Sequence, residues 1–442
     1  MVDFAPGLPS KRRYGRLSDL RPGIVKMVLQ EHLARRAGRH FDLRMGTPET
    51  GLFSWAVPKG MPKPGQRRLA IRQPLHSPEY AGFEGEIPGG YGAGEVTKAD
   101  SGEILITNAS KNRISFVLGD RRSQERFSLI KTKGKDWLLV NTTPTQTIAH
   151  RKVRYQKVPA EDVEKLFDRD NVGSEKIDGA AGFAQIKNGR MEILSYRTSK
   201  SGKPIVHTLR MTGKPIEVDV PRQWSNRVLR GEIWGERRGK AIPPQELGAL
   251  LNMNLIESLR RQAQDKVRLR MALFDIKSDK RPYVERLEEL KELVPKLPSF
   301  FHLPQMAETP EAKARLWQRI AGRRSPRTTE GMVFQPRAGG RPVKAKIAPE
   351  AKVLVRKILE GKKSLEGQGA GAFTYSLEPG GPAVGRVGTG FTAATRRRML
   401  EHPEEFVGRV ARIRSFGQFP SGAYKAPSYI ALHEAYKRPP IP

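Results

Sequence analysis

The sequence predicts a multidomain fold: an N-terminal β-barrel or sandwich, a central α+β domain and a small C-terminal β-barrel. Three observations predict it. From Ile24 to about Asn141, short alternating runs are punctuated by glycine and proline, as in a sandwich or barrel. From about Arg151, strand-like runs mix with stretches of helical apolar spacing. After Lys346 the pattern returns to strands. The 442 residues allow about two to four domains, and the expected boundaries are 1–145, 146–347 and 348–442.

Taken in order, residues 1–21 are basic and rich in turn formers (Lys11-Arg12-Arg13, Arg16) and read as an arm or an edge strand. The strands expected next are 53–57, 94–97, 103–106, 114–118, 126–130 and 137–140. The polar run Asn141-Thr142-Thr143-Pro144-Thr145-Gln146-Thr147 reads as a linker. The spacing then predicts helices over roughly 244–264 and 281–293. Val384-Gly385-Arg386-Val387-Gly388 and Gly408 to Ile413 read as paired strands.

Charge is the strongest bulk signal. With 80 Lys+Arg against 46 Asp+Glu the chain carries +34, which favours a polyanionic partner through counterion release. No apolar run approaches the ~20 residues that span a bilayer, and no basic amphipathic helix or lipidation signal supports membrane binding. Cysteine is absent, which excludes a disulfide framework and thiolate metal sites. A cytoplasmic location is the simplest expectation.

The chemistry gathers around Ser174-Glu175-Lys176-Ile177-Asp178-Gly179. K-x-D-G is weak alone, but here it opens an ordered series. Ser195-Tyr196-Arg197 follows, then Arg230 to Gly235 around Glu232, and Leu273-Phe274-Asp275-Ile276. Glu330-Gly331-Met332-Val333 and Val343-Lys344-Ala345-Lys346 complete it. A lysine amine can attack an α-phosphate if nearby cations or desolvation lower its pKa. Two carboxylates beside a triphosphate suit Mg²⁺. Lys344 and Lys346 fall on one face of a strand.

The set resembles the nucleotidyltransferase motifs of ATP-dependent DNA ligases and mRNA capping enzymes over roughly residues 150–442. The resemblance implies a ligase adenylation fold, here likened to ATP-grasp, followed by an oligonucleotide-binding (OB) barrel. It implies that Lys176 becomes adenylated, with Glu175 beside it in the nucleotide site. It implies that Arg197 contacts ribose and phosphates, and that Glu232 and Glu330 serve ribose and metal. Phe274 would stack on adenine, and Lys344 and Lys346 would neutralise the α-phosphate. Lys437 would contact the ATP pyrophosphate. The chain departs from the pattern in three places. Ser195-Tyr196-Arg197 stands for S-R-x-G, Gln335 stands where a lysine is usual, and Tyr436 replaces the aspartate before Lys437.

The N-terminal part holds His32, His40 and His76. His40, Asp42 and Arg44 share one face of a strand. Nitrogen and carboxylate ligands suit a divalent ion, and an arginine beside them suits phosphate, so the group points to metal-assisted phosphoester cleavage. His76 offers a general acid and Tyr80 a hydroxyl for the phosphate. These residues, with Gln30-Glu31-His32, residues 54–60, Phe83 to Pro88 and Gly89 to Gly94, resemble the 3′-phosphoesterase domain of bacterial end-joining ligases over about 24–141. The resemblance implies Mn²⁺ on His32, His40 and Asp42, Arg44 on the phosphate, and His76 and Tyr80 at the scissile group. The interval from His32 to His40 is two residues longer than the usual pattern.

Together the resemblances imply an ATP-dependent DNA ligase that heals 3′ ends and seals 5′-phosphate/3′-hydroxyl breaks in double-stranded DNA. They imply a monomer, nucleoid-associated if bacterial, with a Ku-like partner and no length left for a polymerase domain. An RNA ligase or capping-type enzyme remains open, as does a non-catalytic DNA-end-binding protein.

Overall fold

The computed structural model describes the chain except for residues 1–14, 91, 120–123, 145–149, 151–152, 199–203, 278, 323–328, 348–349, 362–365, 416–417, 420 and 434–442. Most of the basic arm, most of the linker after Pro144, and Lys437 lie outside the described residues. The chain divides into two compact units. One holds Met1–Arg154, Ile177–Pro304 and Pro326–Thr328, and the other holds Tyr155–Lys176, Gln305–Ser325 and Thr329–Pro442.

The first unit begins with nine antiparallel strands: β1 (Gly23–Ala34), β2 (Gly38–Thr47), β3 (Gly51–Val57), β4 (Arg67–His76), β5 (Gly85–Ile87), β6 (Gly94–Ala109), β7 (Arg113–Gly119), β8 (Gln124–Lys131) and β9 (Asp136–Asn141). They run in the order β1-β2-β3-β4-β9-β8-β7-β6-β5, and β1 also pairs β6, which closes an eight-stranded barrel. Closure leaves no long unpaired edge. The strands expected at 94–97 and 103–106 are one strand, β6, because all of it apart from Ala99 and Thr107, which sit at register shifts, finds a partner on β1, β5 or β7. Val25, Met27, Leu43, Met45, Phe53, Trp55, Ile104, Ile106, Phe116, Phe127 and Leu129 fill the interior. Residues one step along each strand therefore point outward.

A second sheet of the same unit orders Pro204–Val206, Arg190–Thr198, Ala180–Lys187, Val228–Arg237, Val267–Ile276 and Phe301–His302. Helices α1 (Thr208–Thr212), α2 (Pro244–Asn252), α3 (Leu255–Gln264) and α4 (Tyr283–Leu293) belong to this unit. The single helix expected over 244–264 is two. Asn254 leaves the helical backbone, and its side chain accepts from the Ile256 N–H, capping a new helix. An N-cap inside an apolar periodicity breaks the helix without breaking the periodicity.

The second unit has a sheet ordered Gln156–Val158, Val343–Lys346, Thr329–Pro336, Asn171–Ile177 and Met306–Ala307, packed on α5 (Pro310–Ala321). Its other sheet orders Gly385–Val387, Ala370–Ser376, Glu350–Glu360, Val410–Arg414 and Ser428–Leu432, with α6 (Ala393–Glu401) alongside. The strands expected to pair, near 384–388 and 408–413, share this sheet but are not neighbours. Two strands stand between them, because the long strand Glu350–Glu360 pairs on both edges. No described helix is long and apolar enough to cross a membrane.

Candidate active site

On the barrel, β1 and β2 place His32 directly opposite His40, and Gln30 opposite Asp42. The ladder continues past the histidines through Leu33 opposite Arg39 and Ala34 opposite Gly38, so despite the longer interval His32 and His40 meet across the strands. His32 Nε2 lies 3.0 Å from the Gly92 carbonyl, and His40 Nδ1 lies 3.0 Å from the Gly38 carbonyl. A carbonyl only accepts, so each ring donates there and turns its other nitrogen toward Asp42. Those nitrogens, His32 Nδ1 and His40 Nε2, are 3.5 and 3.8 Å from the carboxylate. The three ligand atoms lie within 4.8 Å of one another. Two oriented imidazoles and one carboxylate at that spacing fit a single divalent ion.

Arg44, two residues from Asp42 on the same face, is 3% exposed. It donates to Asp42 Oδ2 at 2.9 Å, to Gln30 Oε1 at 2.7 Å, to the Ser54 hydroxyl and to His76 Nδ1 at 3.2 Å. Its guanidinium carbon lies 4.8 Å from the centre of the Tyr80 ring. Burial pushes the Asp42 carboxyl up, but His32, Arg44 and His40 outweigh it and hold it below its ordinary value. Burial first, and the Arg44 charge second, lower His76 to about 4. His76 is therefore an uncharged acceptor at neutral pH.

Gln30 is named in the sequence only within the matching stretch Gln30-Glu31-His32, and its role was not assigned there. It is fully buried, and its amide N–H₂ donates to the carbonyls of Tyr80 at 3.2 Å and Phe83 at 2.8 Å while its oxygen accepts from Arg44. It ties the face that carries His32, His40 and Asp42 to the turn that carries Tyr80. The signal was its position, two residues before His32 and so on the same face of the strand.

In the second unit, Lys176 is the last residue but one of the mostly buried strand Asn171–Ile177, and its amine pairs with one oxygen of Glu330 while Lys346 pairs with the other. Burial pushes Glu330 up, but Lys176 and then Lys346 outweigh it and keep it ionised. Lys344 shares the face of Lys346. Burial, then the charges of Lys176 and Lys346, lower its pKa. Gly331 is required beside Glu330: its φ is +145°, and a Cβ there would sit 2.0 Å from the Ala345 carbonyl oxygen. Glu175 is locked into the chain itself, its carboxylate accepting from Gln305 N–H at 3.0 Å. Gln335 donates to the Gly340 carbonyl at 3.2 Å and holds a turn.

On the second sheet of the first unit, Glu232 is half-buried, paired across to Ala181 and Ala272. Phe274 is the extra residue of a bulge, because Arg230 pairs Asp275 while Gly231 pairs Leu273. A bulge re-aims the side chain it carries. Gly179 lets this sheet close, since a Cβ there would lie 2.2 Å from the Ile233 carbonyl oxygen. Arg197 is exposed, and its Nε donates to its neighbour Tyr196 at 3.2 Å.

Residues 30–131 match the family described as the DNA Ligase D 3′-phosphoesterase domain. The chain is 40% identical over 126 residues to the multifunctional non-homologous end joining protein LigD of Mycolicibacterium smegmatis, covering 26% of this chain and 16% of that protein. It is 38% identical over 129 residues to LigD of Pseudomonas aeruginosa, covering 27% of this chain and 15% of that protein. The chain thus spans about a sixth of the length of these relatives. The solved ligase domain of M. tuberculosis LigD aligns at 17% identity and a TM-score of 0.30, over 64% of this chain and 96% of that one. A Lig E DNA ligase structure aligns at 17% identity and a TM-score of 0.45, over 65% of this chain and 100% of that one.

Proposed function

We propose that this chain, which carries a DNA ligase D-type 3′-phosphoesterase domain over residues 30–131, is an ATP-dependent DNA ligase that heals the 3′ end it will join. The observation that carries the ligase half is the half-buried ion-pair triad of Lys176, Glu330 and Lys346 with Lys344 beside it. Such a cluster presents an amine nucleophile among cations that match the charge of a triphosphate.

Lys176 Nζ, once deprotonated, attacks the α-phosphorus of ATP. An N–P bond forms, the bond to the β-phosphate oxygen breaks, and pyrophosphate leaves. Lys344 and Lys346 neutralise charge that develops on the α-phosphate. Adenylation removes the positive charge of Lys176 and so frees one oxygen of Glu330, the oxygen the lysine held before. Glu330 is thereby a lysine partner before the step, and after it the carboxylate would be free to hold a divalent ion. We assign the ribose to Glu232, adenine to Phe274 and the phosphates to Arg197. The AMP then passes to a 5′-phosphate, and a 3′-hydroxyl displaces it to seal the strand.

On the barrel, His32, His40 and Asp42 would hold Mn²⁺ or another divalent ion, which when bound polarises a phosphoryl oxygen and activates water. Arg44 binds and orients the phosphate. Its fork is already held by Gln30 and Ser54, so little freedom is lost on binding. His76 and Tyr80 adjoin Arg44, and Tyr80 would give its hydroxyl proton to the leaving oxygen. Cleavage leaves the 3′-hydroxyl that ligation needs. The partners are double-stranded ends or nicks, and the relatives' end-joining role makes a Ku-like end binder the protein partner to test. The three-domain organisation, with an OB barrel after residue 348, belongs to the same reading. So do a monomeric state and a cytoplasmic, nucleoid-associated location.

The test is incubation with α-labelled ATP and Mg²⁺ after pyrophosphate treatment, wild type beside Lys176→Ala, on a denaturing gel. Label on the wild type that is lost in the variant is expected. A folded wild type that takes no label overturns the ligase reading. Asp42→Ala, assayed with Mn²⁺ on a 3′-terminal ribonucleotide, tests the healing half separately.

A further inference from the structure

The outward faces of β1, β6 and β7 carry a feature that phosphoester chemistry does not use. Outward apolar residues elsewhere on the barrel stay wet: Leu69 is 48% exposed and Ile130 36%. Leu105 and Val117 also point outward, yet they are 4% and 2% exposed. They pack with Leu209 on α1 and Leu255 on α3, flanked by Ile24 and Leu259, in one continuous apolar cluster. Both helices belong to the segment Ile177–Pro304, the half of the nucleotidyltransferase that shares a unit with the barrel.

A polar rim surrounds this apolar centre. Arg126 on β8 reaches both carboxylate oxygens of Glu192 in the second sheet, and Glu192 also accepts from the Thr208 hydroxyl at 2.6 Å. Arg260 on α3 donates twice to Glu103 on β6, at 2.6 and 2.5 Å. The Gln124 amide donates to the Val206 carbonyl at 3.1 Å. A desolvated apolar centre ringed by forked arginine–carboxylate pairs is how a stable protein interface is built.

We infer that the phosphoesterase barrel is docked as a fixed part of the nucleotidyltransferase half Ile177–Pro304, not carried on a tether. The inference takes its labels from the function proposed above, but it stands on packing and not on either activity. Its consequence is that the metal triad keeps a constant distance from the sheet bearing Glu232 and Phe274. The barrel does not swing to reach a DNA end.

The experiment inserts a site-specific protease sequence between Gln146 and Thr147 of the full chain, cuts it, and runs the product through size exclusion at about 1 µM. The two fragments are expected to travel together. Separation of the wild-type fragments overturns the inference. Arg126→Glu and Glu192→Arg are each expected to weaken fragment association about tenfold or more, and the double exchange to restore most of it. If neither single variant shifts association, the seam is not the contact that holds the fragments, and the inference falls. A second readout covers a variant that fails to fold. The chain has no cysteine, so Lys131→Cys with Lys240→Cys admits two spin labels cleanly, one on each side of the seam. One narrow distance distribution in the uncut chain is expected, and a broad one overturns the docked arrangement. Both readouts are indifferent to adenylation and phosphoester cleavage, so their failure is distinct from failure of the functional reading.

Discussion

Replacing Asp42 with asparagine tests the barrel site in one step. The substitution keeps shape and one acceptor oxygen but removes the only anion among His32, His40 and Arg44. The other side-chain partners of Arg44 are Gln30, Ser54 and His76, none of them anionic. Removing one partner of a buried pair costs about 3–5 kcal/mol. The retained amide oxygen can still accept from Arg44, which puts the cost near ~3 kcal/mol. The variant also loses the carboxylate proposed to hold the metal ion. At a Mn²⁺ concentration a hundredfold above its dissociation constant, the wild type gains about 2.7 kcal/mol and the variant close to none. The gap between them then widens from about 3 to roughly 6 kcal/mol. Hydrogen exchange of the β1 and β2 amides, with and without Mn²⁺, reads both quantities in the full chain. Wild-type-like protection without metal would refute the buried-pair argument. A Mn²⁺ increment of wild-type size in Asp42→Asn would refute the metal assignment.

Other substitutions probe other parts. Lys346→Met leaves Glu330 with Lys176 alone and is expected to slow adenylation by roughly 10²-fold, with Lys346→Arg recovering part of the rate in the same labelling assay. Gly331→Ala places a methyl 2.0 Å from the Ala345 carbonyl and is expected to destabilise the second unit by about 2–4 kcal/mol in urea unfolding. Leu255→Ala is expected to cost about 2–5 kcal/mol and to raise exchange in both α3 and β6, because its side chain belongs to the cluster shared with Leu105. Acid is expected to weaken the fold. Burial, then Arg44, lowers His76 to about 4, and burial, then Arg210, lowers His207 to about 3. Both are uncharged in the folded chain at neutral pH, while the unfolded chain takes up protons near its ordinary histidine value. Stability is therefore flat above about pH 7 and falls as pH drops below about 6.5, by roughly 2 kcal/mol from His76 alone at pH 5. Unfolding measured from pH 7.5 to 5 checks this, and a rise on acidification would contradict it.

Chemistry was legible in the sequence wherever it depends on residues close together in the chain. The alternation of His40, Asp42 and Arg44 sets their common face, because a strand has a period of two. Lys344 and Lys346 share a face for the same reason, with Ala345 between them buried. The predominance of strands before residue 141 was legible too, since turn residues and alternation are local signals, although several strands run longer than the short runs expected. What needed the tertiary structure were pairings between distant strands. Only the register of β1 on β2 brings His32 to His40 despite the longer interval, and only the closed barrel shows that β6 is one strand. The order of the last sheet, which separates Gly385–Val387 from Val410–Arg414, is likewise a matter of which edges are free. The break at Asn254 hides in sequence because a capped turn can leave apolar periodicity intact. The burial of Leu105 and Val117 is the clearest case. Alternation says that they point out of the barrel, and only the presence of Leu209 and Leu255 decides that they are dry.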